Sequence, residues 1–350
     1  MILLSSPHIH GGNSIRKVMF SVILSLIPAT LFSVYLFGWL SFLIIVSCMG
    51  AALVSEWGCL RLMKRPIAPM FDGSAALTGL LIALTLPALT PWWMTILAAM
   101  FAIILSKQIY GGLGYNPFNP ALSARVILLI SFPLQMTSWI TPMSVDHLLN
   151  LYDFSIASQL FFFGVQSLNT SLDAITMATP LGHVKTALSQ GISVPDALAH
   201  YPYHWLDAFI GNEGGSIGES SALALLLGGL FLLGKGVIRW QIPCSFLITV
   251  ALLSLISSLI APNQFAPPLF HLMAGGLMLC AFFMATDPVS SPVTHKGQLI
   301  FGIGCGLITW SIRNFGGYPE GAMFAVMLMN CAVPLIDHYT RPRVYGRAAS

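Results

Sequence analysis

Apolar residues in this chain come in long blocks. They show neither the alternation of a half-buried strand nor the one-sided stripe of a soluble helix. A helix crossing a bilayer needs about 20 mostly apolar residues. Ten blocks approach that length: 18–38, 40–60, 73–90, 92–110, 120–138, 220–234, 243–261, 268–286, 297–313 and 319–337. The connections are short except for residues 139–219, a long polar-rich interruption holding "HYPYHWLDAF" and "GNEGGSIGES". A connection of that length inside a compact domain is usually functional. The pattern predicts an all-α polytopic membrane protein with about ten transmembrane helices. Residues 1–138 carry the first five, 139–219 form a loop, and 220–350 carry the second five and a short tail.

Composition removes the soluble alternative. The 350 residues are 56% hydrophobic and 8% charged, whereas a soluble domain carries about 25% charged residues. The basic residues are scattered through the connections, which argues against a nucleic-acid partner. Cys48, Cys59, Cys244, Cys280, Cys305 and Cys331 fall in or beside apolar blocks, without a C-x-x-C pair. They read as small apolar helix residues rather than as a metal, iron–sulfur or disulfide set. The block after "IRK" is long enough to span and lacks a cleavage signal, so no removable leader is expected.

Charge placement sets an orientation. With the N-terminus in the cytoplasm, 13 of the 15 Lys and Arg residues fall on the cytoplasmic side, leaving Lys185 and Arg313 outside. The positive-inside rule then places both termini in the cytoplasm and residues 139–219 outside it.

The two halves echo each other. "LFHLMAGGLMLCAFFMATDP" (269–288) parallels "MFDGSAALTGLLIALTLP" (70–87), and "RNFGGYPEGAMFAVML" (313–328) parallels "YGGLGYNPFNPALSARVIL" (110–128). An odd number of spans per half makes such copies inverted in the membrane. Inverted repeats commonly set binding or permeation sites at their interface, and the Gly-Gly and Asn-Pro segments before spans 5 and 10 suit broken helices. This pattern alone would equally serve a channel or transporter.

The long loop holds "DAITMATPLG", residues 173–182. Thr176 and Thr179 both offer hydroxyls to a modifying enzyme, and the chemistry does not choose between them. Asp173-x-x-Thr176-x-Ala178-Thr179 resembles the flavinylation motif D-x-x-[S/T]-G-A-T, with Met177 where glycine is usual. "GGLGYNPFNPALSARV", "FMATDPVSSPVTHKGQLIFGIGCGLITW" and "RNFGGYPEGAMFAVMLMN" extend the likeness over nearly the whole chain. The chain resembles the RnfD proteins of the bacterial Rnf ion-translocating electron-transport complex. The nearest related family is NqrB, from the sodium-pumping NADH:quinone oxidoreductase, and the short start "MILLSSPHIH" favours the Rnf side.

The resemblance implies a redox component, not catalytic alone, of a multi-subunit translocase in the bacterial inner membrane. It implies FMN bound covalently through a phosphodiester at Thr179, and leaves room for a further noncovalent flavin. It also implies flavin-bearing and iron–sulfur partner subunits, a flavin transferase for maturation, and coupling of electron transfer to Na+ or H+ movement. NADH and ferredoxin belong to partners, since "GGLGYNPFNP" is not a dinucleotide fingerprint.

Other residues carry weaker signals. His183 and Lys185 follow Thr179 and could face a phosphodiester, though an ordinary polar loop reads the same way. Tyr201, Tyr203, His204 and Trp205 suit an interfacial belt better than a flavin stack. Glu56, Asp72, Asp287, Glu320 and Asp337 lie near span ends and could snorkel to water, with Arg125 as a partner for one of them. His8 and His10 precede the first block and read as poor metal ligands.

Overall fold

The computed structural model describes residues 14–140, 153–164, 176–200, 205–211 and 214–341. Helix dominates. Each of the ten apolar blocks contains helix, although only Ile15–Leu62, Gln241–Ile260 and Ala322–Tyr339 are individually long and apolar enough to cross a membrane.

Helix α1 (Ile15–Leu62) covers the first two blocks without a loop. Ser14 caps it, and Gly38 interrupts it with φ 60° and ψ −144°. Ser41 Oγ donates to the Ser33 carbonyl across that break. A 3-10 turn (Ala68–Asp72) and Gly73 in the left-handed region precede α2 (Ser74–Thr85). Asp72 Oδ1 accepts from the Ser74 amide (2.8 Å) and the Ser74 hydroxyl (2.6 Å) at the start of α2. Helix α3 (Trp92–Met100) widens into a π-helical stretch, Phe101–Gln108. Asn119 caps α4 (Pro120–Ser131), with proline at the first position, where its missing N–H costs nothing. The short α5 (Pro133–Met136) follows.

The loop contains structure. Trp139–Ile140 (β1) pairs antiparallel with Thr176–Met177 (β2). The loop also holds helices α6 (Phe154–Phe163), α7 (Pro180–Ser189), α8 (Val194–His200) and α9 (Trp205–Ile210), and an irregular stretch, 214–219, leads into the second half. Met177 lies in an extended strand, a conformation open to any residue, so glycine's freedom is not needed there.

The second half runs α10 (Ala222–Gly234), α11 (Gln241–Ile260), α12 (Pro268–Met273), α13 (Leu277–Leu279) with its π continuation Cys280–Met284, α14 (His295–Phe315) and α15 (Ala322–Tyr339). The eighth block is therefore not one helix. It breaks at Ala274–Gly276, where Gly275 has φ 74°. The Gly-Gly and Asn-Pro segments also fall between helices, with Gly111 and Gly112 at positive φ before Asn119 opens α4, and further breaks lie at Gly38, at Gly73 and within the eighth block.

The packing is that of a protein solvated by lipid. Leu24, Ile27, Leu31, Ile248, Leu252 and Leu259 are exposed, while Ser33, Ser41, Thr85, Thr95, Glu56 and Lys107 are buried. Buried hydroxyls bond to their own helix: Ser33 to the Thr30 carbonyl (2.7 Å), Thr95 to the Trp92 carbonyl (2.6 Å). Glu56 departs from the snorkelling expectation. It is 1% exposed and bonded to Lys107 Nζ at 2.5 Å. Small residues replace the hydrophobic effect as the packing device. A Cβ on Gly79 would lie 2.7 Å from Met49 Cα, and one on Gly228 would lie 2.3 Å from the Ser25 carbonyl oxygen. Gly228→Val is expected to force α10 off α1 at a cost of about 1–3 kcal/mol. Gly234→Ala, with nothing within 4 Å, is expected to be neutral. Thermal midpoints of the two purified variants in detergent check this.

Candidate functional site: the Thr179 cleft

Thr179 stands at the boundary between strand β2 and helix α7. Its backbone is extended (φ −66°, ψ 156°), as the following Pro180 favours. Its Oγ1 accepts the Gly182 amide at 3.1 Å, the N-cap bond that opens α7. The strand pairing fixes the chain before it. Leu181 and Val184 pack against Ala266, Phe270 and Ala274, which fastens α7 to the broken eighth segment. The Val194 amide donates to the Asn263 carbonyl at 3.0 Å. Lys185 Nζ donates to the Tyr318 carbonyl at 2.7 Å, and partial burial pulls its pKa down. Its ammonium thus serves as a strut between α7 and the loop before α15.

Half-buried Thr179 lines a cleft with Trp139, Glu219, Met273, Gly275 and Glu320. The free volume is about 30 Å³, water-sized rather than flavin-sized. Its floor is charged. Glu320 Oε1 accepts the Gly276 amide and lies 3.9 Å from Arg313 Nη2. Arg313 donates to the carbonyls of His271 (2.5 Å) and Ala274 (2.9 Å), so it satisfies the orphan carbonyls at the end of α12. A Cβ on Gly275 would sit 2.7 Å from Glu320 Oε1, and one on Gly276 2.7 Å from Glu219 Oε1. Glycine at both positions is what lets the carboxylates reach the break. Arg125, 3% exposed, borders the adjoining cleft with Glu320 and Trp139.

Glu219 sits just before α10. Burial pushes its pKa above the ordinary carboxyl value; the nearby Glu320 charge adds to this, while Arg125 pulls it back. Its Oε2 accepts the Ser216 amide at 3.4 Å, and its Oε1 is sealed from solvent.

Of the residues singled out in the sequence, the structure brings Thr179 and Glu320 into one cleft and places Arg125 beside it. Thr176 lies on β2, and Asp173, Tyr201, Tyr203, His204, His8 and His10 fall outside the described residues. Trp205 is exposed on α9. The His183 amide closes the first turn of α7 on the Thr179 carbonyl. Among the described residues no cluster of three metal-ligating side chains occurs. Sequence reasoning missed Glu219 and the Arg313–Glu320 contact. Glu219 lies in a Gly/Ser-rich stretch without periodicity, and its partner is about a hundred positions away, so no local signal marked it.

A phosphodiester at Thr179 fits this chemistry. The oxygen it would use is at the mouth of a cleft, the N-terminus of ten-residue α7 favours the added negative charge, and the Gly182 amide can still donate to it. The cleft is too small for an isoalloxazine ring.

Comparison with known proteins agrees over the whole chain. Residues 2–346 match the model of the "NQR2, RnfD, RnfE family". The chain is 46% identical to the D subunit of the ion-translocating oxidoreductase complex of Cronobacter sakazakii, with 98% of both chains covered. It is 44% identical to the proteins of that name from Erwinia tasmaniensis and Escherichia coli K12, covering 98% of this chain and 97% of each relative. With apolar helices in every predicted block and these matches end to end, this membrane protein belongs to the NQR2, RnfD, RnfE family.

Proposed function

We propose that this chain is the membrane component of an ion-translocating oxidoreductase complex that relays electrons through FMN attached to Thr179, and that the complex couples this transfer to Na+ or H+ movement. The observation that carries it is the position of Thr179: the hydroxyl matching the motif's acceptor caps a helix at the mouth of a charged cleft. FMN supplies reversible electron uptake when bound. The chain's own residues do the positioning. The strand pairing and the Leu181–Phe270 packing hold the attachment point still, and the N-terminus of α7 balances the phosphodiester. Flavin-bearing and iron–sulfur subunits would be the electron partners, and a flavin transferase would make the bond. In-gel flavin fluorescence of the denatured chain tests the reading: a wild-type band without fluorescence, from cells with an active transferase, refutes it.

The proposed topology has ten crossings in two inverted halves in the inner membrane, with both termini cytoplasmic. A shared arrangement supports the inverted halves. Late in the fourth segment Lys107 reaches Ser74 Oγ (2.7 Å) at the start of α2. Late in the ninth, Arg313 reaches the carbonyls at the break of the eighth. Each cation also meets a carboxylate, Glu56 or Glu320. Ser189, exposed at the end of α7, tests the orientation. A cysteine there, with native cysteines removed, should react with an impermeant thiol reagent on cells opened only in their outer layer. Labelling only after the inner membrane is broken refutes the orientation.

A further inference from the structure

Glu219 and Glu320 both line the Thr179 cleft, and a Cβ on Gly276 would lie 2.7 Å from Glu219 Oε1 and 3.1 Å from Glu320 Oε1. Both carboxylates are acceptor groups. A hydrogen bond between them requires a proton on one. Glu320 Oε1 already accepts the Gly276 amide and lies 3.9 Å from the Arg313 guanidinium. Glu219 Oε1 is buried and meets no donor among the described residues. Glu219 Oε1 is thus a buried acceptor without a donor among those residues, close to a second carboxylate.

We propose that Glu219 and Glu320 form a redox-linked proton site, filled when an electron arrives at the group carried by Thr179 and emptied when the electron leaves. The inference rests on the reading of Thr179 as the flavin attachment point. The balance is simple. One electron, supplied by the oxidoreductase complex, enters beside the cleft; one proton from water at its mouth bonds to a carboxylate oxygen of the pair. When the electron departs, that O–H bond breaks and the proton returns to water. No other bond is made or broken.

The surroundings select a proton over a metal cation. Arg125 from α4 and Arg313 from α14 bring two positive charges to the same pair. A metal ion would have to sit among guanidinium groups, whereas a proton enters as part of a hydrogen bond the carboxyls already approach. His271 on α12 and Cys280 beyond the break are buried nearby. On α7, the Lys185 ammonium is tied to the Tyr318 carbonyl. An electron added at the cleft mouth raises the pair's affinity for a proton by simple attraction, and the raised pKa of Glu219 already points that way.

The test uses the intact complex. The midpoint potential of the covalent flavin is measured by spectroelectrochemistry from about pH 5 to about pH 10, spanning ordinary and raised carboxyl values. Wild type should show a limb falling by about 59 mV per pH unit for a one-electron step, the tenfold equivalent of one proton per electron. The reduced flavin ring takes protons of its own, so Glu219→Gln should shift the pH range of that limb while retaining covalent fluorescence. Redox-difference infrared spectra of the wild type should carry a protonated-carboxyl band. The wild-type spectrum gives an answer even if Glu320→Gln, which disturbs the Gly276 contact, fails to assemble. A limb that survives unchanged in Glu219→Gln, a potential that follows sodium instead of pH, or a wild-type spectrum without a carboxyl band overturns the proton site alone. Absence of covalent fluorescence from the wild-type chain overturns the attachment reading and this inference with it.

Discussion

Replacing Thr179 by asparagine is expected to give a chain that inserts and folds but carries no covalent flavin, with electron flow through the complex reduced to background. Asparagine is chosen because it preserves the N-cap. The Gly182 amide keeps an acceptor, and Asn ranks with the best capping residues, whereas Thr179→Ala would lose about 1 kcal/mol of helix stability as well. The two variants share the loss of the hydroxyl and differ in the cap. If both lack flavin and only alanine lowers the thermal midpoint, the chemical and structural roles of Thr179 are separated. Thr176→Ala should alter recognition by the transferase without removing the attachment atom. Tandem mass spectrometry of the peptide containing both threonines reads the result directly. FMN mass on Thr176, or any flavin retained in Thr179→Asn, refutes the assignment.

The largest stability effect is expected at Lys107. Its ammonium, 2% exposed, bonds Glu56 Oε1 at 2.5 Å and Ser74 Oγ at 2.7 Å, and Gln108 Nε2 donates to the same Glu56 oxygen at 3.0 Å. Lys107→Met leaves Glu56 as an uncompensated buried charge, and breaking a buried pair from one side costs about 3–5 kcal/mol. Adding Glu56→Gln removes the charge and should recover most of the loss, since a buried pair replaced on both sides is often close to neutral. Denaturant titration of the two purified variants in detergent measures this. A Lys107→Met chain as stable as wild type would mean that water reaches Glu56.

These two residues also mark how far the sequence could be read. Helical blocks were legible because lipid requires continuous apolar runs, and their edges fell within a few residues for α11, α14 and α15. Thr179 was legible through its motif and not through chemistry, since Thr176 offers the same hydroxyl. Ion pairs were not legible. Glu56 read as a residue near a span end, yet its partner lies 51 positions on, brought in by the packing of the fourth segment against the second. Glu219 read as loop for the same reason. Helix breaks were half legible: glycines marked where the chain could bend, and only the buried Arg313 contacts show that Ala274–Gly276 is where it does. The π-helical stretch at Phe101–Gln108 left no trace in the pattern, because one extra residue in a turn preserves an apolar run.

The break at Gly38 bears on how the chain enters its membrane. On the proposed topology the first two crossings belong to one helix whose interruption is a single non-helical residue. Almost no polar linker has to be carried to the far side, and "FGWLS" around the bend holds no charge. Exposing either arm alone to lipid would leave Ser33 and Ser41 without the contact they make across the bend. On that topology the two arms are expected to partition as a pair rather than as separate anchors.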